Sequence, residues 1–586
     1  MPLTARRPER RVTLLIVLLG LVCGAVCRAN DAGSAVADAA PTTQARTQPR
    51  AAVPHKAAVA SAHPLATRAG LDVLEAGGNA FDAAVAVSAA LAVVEPNSSG
   101  LGGGGFYLLH VQSTGRDTVI DAREKAPAAA ARDMYLDAAG NPIPDASVDG
   151  PRAAGIPGEP AAFDYLARKY GKLPLRRSLE AAIRLARDGF PMYERLQAGI
   201  RAKRDNLLRS PAAAAVFLTP SGEVPAIGAV IRQPELAGTL EALAAQGAPG
   251  FYAGPVAQDL VEGVRAGGGI WTLADLAAYR VIERKPVVGE YHGARIISAS
   301  PPASGGIALL DTLNILSGFD LTRFDSATRK HLVIEAMRRA YRDRAVYLGD
   351  PDFVRMPVPL LIDPRYAAGQ RASIRTDKAM PSDLLPGIAE HAMGPQTTHL
   401  SVLDAAGNRV AGTISVNLWL GAGFIAPKTG VILNDTMDDF SMKPGVPNDF
   451  GLVGDAANAI APDKRPLSSM APSFIETPRG LMIVGTPGGS TIISMVILAT
   501  LNYIDGMGAA EIVRYTRYHH QYLPDVVDYE PDALSATEIQ SLQAMGHKLS
   551  ESRRRWGNMQ VVTWDYASGR VEAASDPRGE GEGLVY

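Results

Sequence analysis

Cysteine is almost missing from this sequence: Cys23 and Cys27 are its only examples in 586 residues, and both fall in the N-terminal leader. Removal of the leader after Cys27 or Ala29 leaves a mature chain with none, which excludes disulfides, thiol catalysis and cysteine-ligated metals. A charge imbalance is missing too. With 58 basic and 60 acidic side chains the formal net charge is −2, so there is no electrostatic footprint for nucleic acid or an anionic membrane. A Gly-x-Ser-x-Gly elbow is absent, and across residues 155–375 there is no metal-ligand cluster and no coiled-coil repeat. The pair His519-His520 lacks the spacing that would put two ligands on one helix face, and reads as structural. No metal and no organic cofactor is expected.

What is present is an ordinary globular composition, 47% hydrophobic and 20% charged. Arg6, Arg7, Arg10 and Arg11 precede an apolar run over 12–26, with small residues behind it. That is the layout of a secretory signal peptide, too short for a comfortable membrane span. Residues 1–29 are read as this signal, and 30–53, rich in Ala, Thr, Gln and Pro, as a disordered tether. The product is expected to be exported, periplasmic or secreted, with no stable membrane span after cleavage. Gly24 stands where a lipid-anchoring motif wants leucine, which argues against a lipidated Cys27.

Helical periodicity covers 63–76 and 79–94, the second nearly all apolar and so buried. Ser98-Ser99-Gly100-Leu101-Gly102-Gly103-Gly104-Gly105 follows, then a strand over 106–111. The order helix, glycines, strand, with no Gly-Lys-Ser/Thr behind it, is wrong for a phosphate loop. It points to close backbone packing or a cramped turn. A strand over 118–123 ends at Arg123, either a bidentate clamp for a carboxylate or an ion-paired surface arginine. From 155 to about 375 the pattern is mostly helical and reads as scaffold.

The segment 381–395 is loop-like, and Gln396-Thr397-Thr398-His399 runs from it into an alternating strand. The turn Ala405-Ala406-Gly407-Asn408 leads to a second strand over 409–417, making a β-hairpin. A threonine at that junction suits a cut before Thr397, after which the freed α-amine is general base for the same residue's hydroxyl. Plain β-propensity is the other explanation of a Thr-Thr-His strand start. Further on, a Gly/Pro-rich loop over 443–454 has the character of a lid. Gly488 and Gly489 precede an apolar helix over 491–503. Their N–H groups either form an oxyanion hole or belong to a simple strand-to-helix turn.

Taken together, the stretches Gly77-Gly78-Asn79-Ala80, Leu101 to Phe106, Arg123-Glu124, Thr397-Thr398-His399, Asp438-Asp439-Phe440-Ser441, Arg465-Pro466-Leu467-Ser468-Ser469-Met470 and Pro487-Gly488-Gly489-Ser490 resemble the γ-glutamyltranspeptidases, or glutathione hydrolases. The resemblance runs from about residue 59 to the C-terminus. It implies an α/β N-terminal nucleophile hydrolase fold, an αββα sandwich with two stacked sheets between helical layers. It also implies a precursor cut between Gln396 and Thr397 into a large segment, 54–396, and a small one, 397–586, that stay together as a heterodimer. By the same resemblance Thr397 is the nucleophile, Ser415 supports it, and Gly488 and Gly489 form the oxyanion hole. Arg123, Ser468 and Ser469 grip the substrate α-carboxylate, while Asn417 and Asp439 hold its α-amino end. Ser415 stands where the family usually has threonine. Thr436 occupies the place of a glutamine or glutamate that touches the substrate ammonium, and Phe450 that of a lid tyrosine. The implied partners are small γ-glutamyl donors such as glutathione, with amino-acid or dipeptide acceptors. The alternatives within the fold are a glutaryl or cephalosporin acylase and a poly-γ-glutamate-processing enzyme. Outside catalysis, the alternative is an inactive binding protein, which the presence of Thr397 argues against.

Overall fold

The computed structural model describes residues 53–385, 397–443 and 445–586. The stretch read as a signal, nearly all of the stretch read as a tether, Gln396 and Pro444 lie outside the described residues. Two antiparallel sheets form the centre. Their strands, in chain order, are β1 Ala58–Ser61, β2 Gly104–Val111, β3 Arg116–Ala122, β4 Ile282–Arg284, β5 Val287–Tyr291, β6 Ala294–Ser298, β7 Thr398–Leu403, β8 Arg409–Ser415, β9 Ser473–Glu476, β10 Gly480–Gly485, β11 Gln560–Asp565, β12 Val571–Ser575 and β13 Glu582–Val585. The first sheet has the order β13-β1-β7-β8-β2-β3-β4, and the second β12-β11-β10-β9-β6-β5.

Period-two alternation assigns each face of the first sheet to a layer. On β2, Tyr107 and Leu109 point into a core shared with α1 Pro64–Glu75 and α2 Ala80–Val94, together with Leu71 and Val85. Phe106 and Leu108 point the other way and meet Phe474, Ile483 and Val562 of the second sheet. The second sheet's outer face is covered by α3 Gly305–Leu316 and α5 Thr491–Ile504, with α4 Ser326–Tyr347 packed against α3. The result is the expected α/β arrangement, helices outside two stacked sheets. Asn79 starts α2 with a reciprocal capping box to Asp82, which fixes the helix entry behind the first sheet.

The β7–β8 hairpin lies between β1 and β2, and every residue of both strands is buried. Its turn is tied by Asp404, whose carboxylate accepts from the Ala406 and Asn408 amides and, across the fold, from the Ala80 amide at the start of α2. Both sheets mix strands from before and after Thr397.

Three details differ from the sequence reading. The second hairpin strand ends at Ser415, not Asn417, because Asn417 turns into the left-handed region at φ 81° and its N–H goes to Ser415 Oγ. The stretch 155–375 is not all helical scaffold: β4, β5 and β6 come from it. Their short length and the glycine at 289 hide the alternation. The run 430–434, whose apolar residues read as part of a further strand, makes only isolated bridges, Gly102 to Leu433 and Ile425 to Ile432. Among the described residues no helix is long and apolar enough to cross a membrane.

Candidate functional site

Hairpin register brings the first site groups together. Ile414 stands opposite Thr398, so the next pair places Ser415 opposite Thr397, and their hydroxyls are 3.3 Å apart. Thr397 is buried, as is Ser415. The glycine run serves this contact. β2 lies so close to β8 that a Cβ on Gly103 would sit 2.0 Å from Ser415 O, and one on Gly105 2.2 Å from Thr413 O. Close backbone approach, rather than phosphate binding, explains those glycines.

Ser415 Oγ also accepts the Asn417 amide at 2.8 Å, and Asn417 Nδ2 donates to Asp435 O at 3.1 Å. This chain of contacts leads to the 3-10 turn Thr436–Asp439. There the structure adds something no local pattern announces. Arg123, leaving β3, is fully buried and ion-pairs through Nη2 with Asp439 Oδ2 and through Nη1 with Glu124 at 3.3 Å. The two residues expected to grip opposite ends of a substrate thus hold each other. Burial pushes the Asp439 carboxyl up, opposed by Arg123 and Arg344.

Two further groups were missed by sequence reasoning. Arg344, near the end of α4, donates from Nη2 to Ser469 Oγ at 3.0 Å and from Nε to Ser304 Oγ at 2.9 Å. Burial lowers its guanidinium to about 10. Glu124 is buried and accepts from Thr436 Oγ1 at 2.8 Å, and burial raises its pKa. Thr436 therefore does not leave Asp439 as the sole anion, because it presents Glu124 instead. The only sequence signals were a charged residue beside Arg123 and a basic last turn in a long helix.

Ser468 accepts the Met470 amide on Oγ, and its carbonyl takes the N–H and hydroxyl of Ser304. Arg465 holds the segment's start, binding Asp121 Oδ1 at 2.6 Å and the Arg123 carbonyl at 3.0 Å. Lid residues lie across the pocket. Asn448 donates to Asp439 Oδ1, the Asp449 amide to Asp438 at 2.9 Å, and Phe450 is buried. The space left between Arg344, Asp439, Asn448 and Leu467 is about 10 Å³, room for no more than one water.

Gly488 and Gly489 follow β10 at φ 146° and 56°. Their carbonyls accept from the Thr491 and Ile492 amides at the start of α5, and among the described residues neither N–H has a backbone partner. Gly485, the last residue of β10, packs on the His399 ring, so this turn leaves the second sheet at the end where β7 begins. His399 bonds Thr413 Oγ1 at 2.8 Å, and burial drops it to about 3. It is a neutral core imidazole. His519 bonds Ser494 and Gln521, and His520 bonds Asp525.

One cluster with metal-ligand chemistry also escaped the sequence reading: donor atoms of His331, Glu335 and His547 lie within 4.8 Å of one another. Most of their capacity is already used, although His547 Nδ1 has no hydrogen-bond partner among the described residues. His331 Nδ1 meets His547 Nε2 at 2.7 Å, and Glu335 accepts from Arg338 at 3.0 Å and from Arg339 at 2.8 Å. Two guanidiniums beside the carboxylate oppose a cation there.

The model of the γ-glutamyltranspeptidase family matches residues 66–586. The chain belongs to the γ-glutamyltranspeptidase family. A glutathione hydrolase proenzyme of Escherichia coli is 41% identical over 525 residues, covering 89% of this chain and 90% of that protein. Among solved structures, a γ-glutamyltranspeptidase of Helicobacter pylori is 42% identical with a TM-score of 0.54, covering 55% of this chain and 93% of that one. A cephalosporin acylase of Bacillus halodurans is 27% identical with a TM-score of 0.79, covering 94% and 99%. As a γ-glutamyltranspeptidase with the N-terminal nucleophile hydrolase fold, the chain is an enzyme, a γ-glutamyl hydrolase and transferase.

Proposed function

We propose that the chain is an exported precursor that cuts itself between Gln396 and Thr397, and that the mature enzyme acts on glutathione and other γ-glutamyl amides. The observation that carries this reading is the combination of Thr397, buried against Ser415, with the buried charge cluster of Arg123, Arg344, Glu124 and Asp439, to which Ser415 is linked through Asn417 and the Asp435 carbonyl. Two cations and two carboxylates match the zwitterionic head of an α-amino acid, which a γ-glutamyl group retains.

The chemistry has two stages. In the precursor, Thr397 Oγ1 attacks the Gln396 carbonyl, and water opens the resulting ester to free the α-amine of Thr397. In turnover, that amine takes the Oγ1 proton while the oxygen attacks the γ-carbonyl. Ser415 orients the hydroxyl, and the Gly488 and Gly489 N–H groups receive the oxyanion. Breaking the γ-amide releases the first product. Water or an amine then removes the acyl group from Thr397. Arg123, with Ser468 and Ser469 placed by Arg344, receives the α-carboxylate. Asn417, Asp439 and Glu124 receive the ammonium, with Thr436 orienting Glu124. Segments 54–396 and 397–586 remain a heterodimer, since each contributes strands to both sheets.

The likeness to a cephalosporin acylase favours a second reading, hydrolysis of glutaryl-type amides. A glutaryl group has no ammonium, however, and would leave the buried Asp439 and Glu124 without a partner. The test is a denaturing gel of wild type and Thr397→Ala, combined with release of p-nitroaniline from γ-glutamyl and glutaryl anilides. The expected outcome is two bands and γ-glutamyl preference for wild type, and one uncut, inactive chain for the variant. A Thr397→Ala chain that still splits at this bond would overturn the assignment.

A further inference from the structure

Behind the start of β7, four polar groups are buried without a hydrogen-bond partner among the described residues: Glu95 Oε2, Ser99 Oγ, Thr398 Oγ1 and Arg195 Nε. Thr398 shares a face of its strand with Leu400 and Val402, which pack with α2, while Thr397 and His399 alternate to the other face. Glu95 caps the C-terminal end of α2 and is 1% exposed. The Ser98 and Ser99 amides close on its carbonyl at 2.9 and 3.1 Å, and the Ser98 carbonyl accepts the Val416 amide at 3.2 Å. Glu95 is thereby tied to the residue that follows Ser415. A cation faces its side chain: Arg195 Nε lies 3.9 Å from Oε1, and the same guanidinium covers the Trp419 ring at 5.4 Å. The other groups that face it are the Thr398 and Ser98 hydroxyls, the Tyr193 phenol and the Glu580 carboxyl. Burial raises Glu95 to about 7, against the pull of Arg195 and the two hydroxyls.

A cut before Thr397 replaces a neutral amide N–H by an ionisable amine, and at 4% exposure of Thr397 that amine forms inside the fold. We propose that Glu95 is the counter-charge of this amine, a positioning residue that acts from behind Thr398 and sets the pH at which the nitrogen becomes a base. The inference rests on the self-cleavage reading and adds what surrounds the freed nitrogen. One residue step is about 3.8 Å, which puts a carboxyl beside the Thr398 side chain on the order of 6 Å from the Thr397 nitrogen. An ionised carboxylate at that range favours the ammonium form and raises the amine's pKa. Burial leaves the pair little screened by salt, and Arg195 offsets part of the effect. Groups coupled in this way titrate together, so the amine's apparent pKa carries the charge of Glu95. Because Thr397 and Thr398 point to opposite faces of β7, the carboxyl acts on the nitrogen and not on Oγ1.

The experiment measures kcat/KM for γ-glutamyl-p-nitroanilide against pH on processed wild type, Glu95→Gln, Glu95→Asp and Thr398→Val. The acid limb of such a profile reports the pKa of the base in the free enzyme. Glutamine keeps the shape and removes the charge, and its limb is expected about half a pH unit below that of wild type. Aspartate keeps the charge and is expected to stay near wild type. Thr398→Val is expected to move the limb the same way as glutamine but less, since the carboxyl loses a hydroxyl that favours its ionised form. Valine retains the strand preference of threonine, so this variant decides the question if Glu95→Gln is not cut. A residue that only supports the fold would lower the whole profile and leave the limb in place. A limb that coincides with wild type in Glu95→Gln, or in Thr398→Val where the glutamine variant stays uncut, overturns the assignment. An equal shift in Glu95→Asp and Glu95→Gln overturns it too. A wild type that runs as one uncut chain overturns the self-cleavage reading as well, which separates the two failures.

Discussion

Replacing Asp439 by asparagine separates two roles that the structure gives this residue. The substitution keeps the size of the side chain and the Oδ1 contact with Asn448, but removes the charge facing Arg123. Arg123 is 1% exposed and retains Glu124 at 3.3 Å. Part of its compensation is lost, a disturbance that can reach about 3–5 kcal/mol for a buried pair and that falls on every donor alike. Loss of the ammonium contact falls only on donors with an ammonium. A charge-assisted contact of about 1.5–3 kcal/mol corresponds to roughly 10–150-fold in kcat/KM. Because Glu124 stays as a second anion, the lower part of that range, about 10–40-fold, is expected. The assay is kcat/KM for γ-glutamyl- and glutaryl-p-nitroanilide on wild type and Asp439→Asn. The γ-glutamyl value should fall further than the glutaryl value by this factor. Equal losses would mean that Asp439 only seats Arg123, and the zwitterion argument would be withdrawn.

Gly103→Ala should destabilise the protein by at least about 1–3 kcal/mol and slow precursor cleavage. Its Cβ would stand 2.0 Å from the Ser415 carbonyl, which cannot move without shifting the nucleophile's partner; urea midpoints and gel time courses check both. Thr436→Glu would, from sequence alone, add a second anion for the ammonium. The structure reverses that expectation: a new carboxylate would face the buried Glu124, and γ-glutamyl kcat/KM should fall at least about tenfold. Asp438 is pushed up to about 7, chiefly by burial. A folded-state pKa raised in this way gives stability that is fully present below the ordinary carboxylate range and is lost as pH rises through about 7. Asp438→Asn should therefore gain on wild type in thermal midpoint between about pH 5 and about pH 8; an unchanged difference would show that Asp438 is ionised in the folded as in the unfolded chain across this range, so that burial does not raise it.

Local signals made half of the site legible. The hairpin could be read because both strands alternate and Asp404 to Asn408 closes the turn within a few residues. Its register then set Ser415 opposite Thr397. Close packing at the glycines at 102–105 was readable because only glycine tolerates such backbone approach, whereas for Gly488 and Gly489 the pattern marked a turn before a helix and left its role open. Lid contacts were half readable: composition marked the loop, but not that Asn448 reaches Asp439.

The other half depends on sheet order, which no local pattern encodes. Arg123 and Asp439 are 316 positions apart, and they meet because β3 and the 436–439 turn end on the same side of the first sheet. Arg344 is brought to Ser469 by the packing of α4 against α3. Glu124 looked like the second half of a motif until Thr436 was seen to face it. The sequence by itself determined the hairpin that starts behind Thr397 and the glycine turns, because each follows from period, turn chemistry or steric freedom within a few residues, while the layered α/β architecture was implied by the resemblance to a family and not by any local pattern. Only the tertiary structure decided which charges face one another, because buried ions take the nearest opposite charge that the packed chain offers rather than a neighbour in sequence.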